Sequence, residues 1–353
     1  MSTINPLQPT RPVPPPQAPS TSVGPTPEVD KFSRQETSFG GAYYRKVTSA
    51  ASSDWKGIQL EGVLPQVNLD PARATYNGDK NDLQADPTAG PLDRPSVYTG
   101  GHGDGNREVD CGLSWDRVWN APKQGSFTDK TRASDDRDPS KRYFEDTRNG
   151  QPVVLDGTGA VRAEGQAQVT TFLADKQMDF AFRPFIRDSQ GHWITPQPPG
   201  SANDRYFYPG EDIKMTLTSV DATHLQLEVD LVGSDYSYKQ VFAQDGFGPG
   251  TQPSFKRVNS IDQFRLVTGP DGKPARKGNE GRSVIPTSTV LSDADWNKAS
   301  MLTREGGQVP MVGQQFTEVA GSDVFSHYDQ IFKVSPTTSQ GGEEITIDPR
   351  ASA

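Results

Sequence analysis

The sequence predicts an all-β fold, an antiparallel β-sandwich of jelly-roll, concanavalin-A-like type behind a disordered Pro-rich N-terminal tail. Three observations carry that expectation. Apolar residues recur at every second position in several segments, the pattern of strands that bury one face. Helical periodicity is nearly absent. The chain of 353 residues holds 34 Gly and 30 Pro, and that density of turn formers favours short strands over long elements.

The tail is placed at residues 1–31. Nine prolines fall between Pro6 and Pro27, with no aromatic residue and one charge, Arg11. Proline fixes φ and removes a backbone donor, so neither a helix nor a sheet interior is expected there. A basic segment leading into an apolar stretch is missing, so the tail does not read as a Sec signal peptide. A spacer, an export signal read in an unfolded state and a ligand for a proline-binding module all stay open. Residues 32–353 are expected to form one β-sandwich domain, with 32–100 loop-rich and its place in the sandwich open. Short strands are expected there near 41–48 and 56–64, from Tyr43, Tyr44, Ile58, Leu60 and Val63.

The middle of the chain is more legible. Val109, Cys111, Leu113 and Trp115 alternate with Asp110, Gly112, Ser114 and Asp116. Phe180, Phe182 and Ile186 repeat the pattern, and Pro184 makes that strand an edge or a bulge. Ile213, Met215 and Leu217 form one alternating run, and Leu225, Leu227, Val229 and Leu231 form another. Ser219–Thr223 joins them, with Asp221 suited to cap the turn, so the pair predicts an antiparallel hairpin. Further strands are expected at Tyr238–Ala243, Phe255–Ile261, Phe264–Val267, Val284–Leu291, Tyr328–Val334 and Glu344–Ile347. Ser292–Met301 opens on a capping residue and contains Trp296, which predicts one short helix.

Composition excludes several functions. Charge is 36 − 45 = −9, the wrong sign for neutralising phosphates, so no nucleic-acid partner is expected. No apolar run approaches the about 18 residues of a membrane span. One Cys, Cys111, rules out an intrachain disulfide and a Cys-based zinc site, and its register among apolar residues makes it a core residue. With four His besides, neither metal nor other cofactor is expected. Gly100–Gly105 resembles a phosphate loop but leads into a strand, without the helix N-terminus that holds a phosphate.

The chemistry-bearing candidates lie on polar strand faces. His224, Gln226, Glu228 and Asp230 share one face of the second hairpin strand, and residues two apart stand about 6.6 Å from each other. Glu228 and Asp230 therefore form a carboxylate pair of the spacing used in glycoside hydrolysis, with His224 as a proton carrier. Glu108 and Asp110 repeat the spacing, as an alternative catalytic pair of the hydrolase or lyase, as ligand-binding residues or as charges that block edge aggregation. Trp115, Tyr206 and Tyr208 are candidate stacking platforms for sugar rings. Arg183, Lys256 and Arg257, with Arg187 and Arg282, are candidates for binding an acidic sugar.

The runs Pro95–Gly101, Glu108–Trp115, Phe255–Gln263 and Gly278–Gly281 resemble a family of secreted bacterial β-proteins that look like concanavalin-A-like lectin/glucanase sandwiches. The resemblance implies a sheet face able to hold a glycan. It implies no catalytic set: the Glu-x-Asp-x-x-Glu motif of laminarinase-type members lacks its third Glu after both Glu108 and Glu228. The Arg-x-Glu-x-Arg and Gln-Ile-His signatures of alginate-lyase jelly rolls are missing as well.

The leading expectation is non-catalytic binding of a polysaccharide or another cell-surface ligand. A glycoside hydrolase or polysaccharide lyase is the second, and an effector or interaction module exported through its tail is the third. Few Lys among many Gly, Ser, Thr, Asn and Asp suggest an extracellular or surface-associated protein that uses a route without a Sec signal, with a cytoplasmic one left open. Oligomeric state is not legible.

Overall fold

Alternation gives every strand two faces, and the computed structural model shows what each face meets. It describes residues 41–73, 91–117, 123–124, 143–156, 158–176, 180–194, 205–268, 274–278, 282, 284–313, 315–321 and 328–352. The tail expected at 1–31 lies outside them. The described chain runs through β1 (Ala42–Ser49), β2 (Trp55–Val63), β3 (Gln66–Asn68), β4 (Asp93–Gly103), β5 (Arg107–Arg117), β6 (Lys123–Gln124), β7 (Tyr143–Arg148), β8 (Gln151–Asp156) and β9 (Val161–Glu164). Helix α1 (Gln166–Lys176) precedes β10 (Phe180–Arg187), β11 (Asp212–Ser219), β12 (His224–Leu231), β13 (Ser237–Ala243), β14 (Ser254–Thr268) and β15 (Pro274–Gly278). Next come β16 (Val290–Thr303), β17 (Gln308–Pro310), β18 (Phe316–Gly321), α2 (Tyr328–Ile331), β19 (Phe332–Val334) and β20 (Gly341–Ile347).

Two antiparallel sheets dominate. The first has the order β10-β5-β4-β14-β1-β18, with β15 paired to the far end of β14. The second has the order β13-β12-β11-β2-β16-β20-β19, with β3 and β17 paired to β16. A smaller sheet, β6-β7-β8-β9, packs α1 through Val154, Ala163 and Val169. The large sheets stack face to face. Val109, Cys111, Leu113 and Trp115 of β5 share one core with Leu225, Leu227 and Val229 of β12 and with Ile58 and Leu60 of β2. The hairpin expectation holds, with Lys214 opposite Asp230 and Leu217 opposite Leu227. Pro184 does lie on an edge strand, β10.

Several expectations are corrected. Ser292–Met301 is not a helix but the middle of β16, an interior strand. The strand is irregular between Leu291 and Ala294, where Asp293 has φ 57°, and again between Trp296 and Lys298. The inward residues Ala294, Trp296, Ala299 and Met301 are therefore spaced two, three and two apart. A bulge thus imitates the helical period. Val284–Leu291 becomes strand only from Val290, and Tyr328–Val334 divides into α2 and β19. Phe255–Ile261 and Phe264–Val267 are parts of a single strand, β14.

The core also contains charge. Arg45 of β1 grips Glu343 of β20 from the opposite sheet, Nε to Oε1 at 2.9 Å and Nη2 to Oε2 at 2.7 Å. Arg257 of β14 donates from Nη1 to the same Oε1 at 2.7 Å. Trp296 Nε1 donates to Asn259 Oδ1 at 2.8 Å, a second polar tie between the layers. Burial opposes the charge on Glu343, but Arg257 and Arg45 outweigh it and hold the carboxyl down at about 2. Removing one partner of such a cluster leaves buried charge uncompensated. Glu343→Ala should cost about 3–5 kcal/mol, read from denaturant unfolding. In the native protein this contribution is present above the ordinary carboxyl value of 4.5 and is lost as pH falls toward about 2. An unfolding midpoint unmoved by the substitution would contradict the inter-sheet tie.

Candidate functional site

Register lays out the outer face of the first sheet, the side away from the core, as a grid. One row holds Ser254, His102 and Glu108; the next holds Thr48, Lys256, Gly100, Asp110 and Arg187. A third holds Lys46, Val258, Tyr98, Gly112 and Phe185. Farther along stand Asp262, Arg94 and Asp116. Acid, base and ammonium groups from four strands therefore share one surface.

Lys256 is the centre of this face. Its side chain is 2% exposed, and Nζ lies 2.6 Å from Glu108 Oε1 and 2.7 Å from Asp110 Oδ1. Lys256 sits on β14 and its partners on β5, with β4 between them, so the stem must cross β4. Gly100 makes that possible: a Cβ there would meet Lys256 Cε at 3.0 Å and Val109 O at 2.0 Å. Gly112 does the same one row on, where an added Cβ would stand 2.6 Å from the Tyr98 Cβ. Tyr98 then packs edge-on against Phe185 at 5.6 Å between ring centres.

His102 completes the group. The β4–β5 turn at 104–106 places Asn106 and Gly105 at positive φ, 58° and 75°, conformations open to Asn and Gly. The hairpin so formed pairs His102 with Glu108, and Nε2 stands 3.6 Å from Oε1. Both side chains are nearly half exposed, so this end of the cluster is reachable from solvent.

The charges are mutually tuned. Burial works against the Lys256 ammonium, yet Asp110 and Glu108 outweigh it and raise its pKa. Burial likewise opposes ionisation of Glu108, but Lys256 holds its carboxyl below the ordinary value. Burial first and Lys256 second lower the His102 pKa, which favours its neutral imidazole. Burial and then Lys256 lower Lys46. Three rows away from Lys256, burial pushes the Asp262 carboxyl up to about 6 against a hydrogen bond from Ser260 Oγ at 2.9 Å.

Of the residues singled out from sequence, Glu108, Asp110 and Lys256 converge here. The others do not. Glu228 and Asp230 lie on the outer face of the second sheet, paired with Lys239 at 3.5 Å and Lys214 at 3.1 Å. That is a cross-strand ladder of opposite charges, not an acid–base pair. His224 turns back on Asp221, 3.0 Å from Oδ1, and closes the hairpin. Trp115 points into the core against Phe180 and Phe182. Tyr206 is fully buried, its N–H donating to Tyr236 Oη at 2.9 Å, and Arg183 stands over its ring at 5.7 Å. Tyr208 is half-buried in the turn that leads to β11, its N–H held by Glu211 Oε2 at 2.8 Å. Arg257 faces inward to Glu343. His102 was missed, although Asp104-Gly105-Asn106 marks a tight turn that sets it across from Glu108. Among the described residues no group of His, Cys, Asp and Glu is arranged to hold a metal.

No protein-family model matches the chain, and no curated protein does. Similar solved structures include Scytalido-glutamic peptidase with a peptide-based transition-state analogue, at 10% identity and TM-score 0.38, covering 86% of this chain and 97% of that one. SCP-B, a member of the Eqolisin family of peptidases in complex with the tripeptide Ala-Ile-His, matches at 9% identity and TM-score 0.34, with the same coverage. At these scores the likeness assigns neither family nor activity.

The expectation of polysaccharide or surface-ligand binding is corrected. The rings meant to stack on sugar, Trp115 and Tyr206, are buried. The glycosidase or lyase alternative loses both its pairs to lysine partners, Glu228/Asp230 to Lys239 and Lys214 and Glu108/Asp110 to Lys256, and the effector reading rests on a tail outside the described residues. The corrected site makes two predictions. Gly100→Val should destabilise the fold by about 1–3 kcal/mol through overpacking, measured by denaturant unfolding. Lys256→Met should raise the Glu108 pKa, since the cation that lowers it is gone; a carbon-13 NMR titration of Glu108 reads the shift, and an unmoved value would refute the pairing.

Proposed function

We propose that the chain is a hydrolase of acyl bonds, peptide or ester, whose acid–base centre is His102, Glu108, Lys256 and Asp110. The observation that carries this reading is a buried ammonium clamped between two carboxylates, one of them half exposed beside an imidazole. A charge cluster that served stability alone would not need the reachable His–Glu pair at its edge.

In this reading the His102 tautomer is assigned with Nε2–H toward Glu108 and Nδ1 as acceptor. Nδ1 takes a proton from water as the oxygen attacks the carbonyl carbon, then returns it to the leaving amine or alcohol. Glu108 steadies the imidazolium formed in between, as a carboxylate does behind a catalytic histidine. Lys256 holds Glu108 in place and ionised. Lys46, two residues along the same face of the neighbouring strand, is the ammonium placed to favour a developing oxyanion. The 3.6 Å separation of His102 and Glu108 is long for a hydrogen bond, and such pairs tighten when substrate binds. The reading also takes the sandwich to be of the concanavalin-A-like, jelly-roll kind, supported by two stacked antiparallel sheets between which the chain passes repeatedly.

The test is turnover of peptide and ester libraries followed by mass spectrometry across a pH series. The base must be unprotonated, so kcat/KM should rise with pH through a midpoint below the ordinary imidazole value of about 6.5. His102→Gln and Glu108→Gln should each lower kcat/KM by about a hundredfold or more. No turnover of any library member, or full rates in both variants, would overturn the proposal.

A further inference from the structure

Arg187 is a guanidinium without a counter-ion. It ends β10 on the outer face, half-buried, in the row of Lys256 and Asp110, and among the described residues it makes no hydrogen bond and no ion pair. Both neighbouring acids are already committed. Asp110, directly across on β5, lies 2.7 Å from Lys256 Nζ. Asp188 is taken up by its own turn: Oδ1 accepts from the Gln190 and His192 N–H groups at 2.9 and 2.8 Å, and Oδ2 stands 3.3 Å from His192 Nδ1. That turn closes beside the guanidinium, where a Cβ on Gly191 would stand 3.9 Å from Arg187 Nη2.

The same turn pairs Trp193 with Arg187, and residues opposite each other in an antiparallel pair leave the same face. The Trp193 ring lies 5.6 Å from Phe185 and 6.0 Å from the Arg94 guanidinium, yet the residue is 49% exposed. An open guanidinium fork beside an open indole suits the last residue of a peptide: the fork takes the terminal carboxylate in two parallel bonds, and the ring takes an apolar side chain. His102 lies two strands and one row away, about 12 Å between Cα positions at about 4.8 Å per strand and about 6.6 Å per row. Three to four extended residues at about 3.3 Å each span that gap. We propose that Arg187 and Trp193 bind the C-terminal residue of a peptide substrate, so that the centre at His102 and Glu108 releases tri- or tetrapeptides from its C-terminus. Water adds across the amide: the upstream fragment leaves with the new carboxylate and the downstream fragment with the amine. The inference rests on the hydrolytic reading and names its substrate class.

Two measurements on the full chain keep the subsite and the hydrolysis apart. Binding is followed by isothermal titration with N-acetyl-Ala-Phe, too short to reach His102 from Arg187, as the free acid and as the amide. N-acetyl-Ala-Asp amide, whose carboxylate is on a side chain, is the third probe. The free acid should bind about tenfold more tightly than either amide. Arg187→Gln should bring that ratio to about one, Arg187→Lys should retain part of it, and Trp193→Ala should weaken binding of the acid. Turnover is followed by mass spectrometry on acetylated dodecapeptides ending in Phe, as acid and as amide. The acid should lose a tri- or tetrapeptide, with kcat/KM about tenfold above that of the amide, and the preference should vanish in Arg187→Gln. Selective binding of the acid with no turnover would remove the hydrolytic reading and the substrate assignment, and leave a carboxylate-binding site. Cleavage with equal rates for acid and amide would overturn the subsite and leave the hydrolysis standing. So would equal affinity for the acid and either amide, or a preference unmoved by Arg187→Gln.

Discussion

Two successive cations on one interior strand determine how this molecule is built. Lys256 and Arg257 are adjacent on β14, so the pleat sends one to the outer face and the other into the core. Both are almost completely buried, and a buried cation is tolerated only where carboxylates meet it. On the outer face Glu108 and Asp110 of β5 do so; in the core Glu343 of the opposite sheet does. The first pairing ties three strands, β14, β4 and β5, in register on the outer face. The second locks the layers at one azimuth, because Arg45 and Arg257 reach a single carboxylate from two neighbouring strands.

The two outer faces show why position decides the worth of a charge pair. On the second sheet Lys214–Asp230 and Lys239–Glu228 are solvated and contribute about 0–1 kcal/mol each. They order a surface and little else. On the first sheet the lysine is sealed and its partners grade from buried Asp110 to half-exposed Glu108. Gly100 permits that difference by giving up its side chain so that a lysine stem crosses the strand. Polar chemistry on this face is thus bought with a gap in the sheet's packing.

Much of the fold was legible because alternation is a local property. The β11–β12 hairpin, β5 and the edge position of β10 all followed from period two and one proline. β16 was misread because its bulge spaces Ala294, Trp296, Ala299 and Met301 unevenly. The sheet of β6 to β9 and helix α1 lacked a clear period and were not expected. The site was half legible. Glu108, Asp110 and Lys256 were each singled out, but their convergence is a matter of register between β5 and β14, which are far apart in sequence. The core cluster left a signal that went unused. Arg45 falls between Tyr43 and Val47, and Glu343 precedes Ile345 and Ile347, each a charge in apolar register.

The most direct measurement is a double-mutant cycle between Lys256 and Asp110, from unfolding free energies of Lys256→Met, Asp110→Asn and the pair. The two groups are in contact and buried, so their effects should fail to add, with a coupling of about 1–3 kcal/mol. Additive effects would mean that the ammonium is not held by this carboxylate, and the organised outer-face centre would then have no foundation.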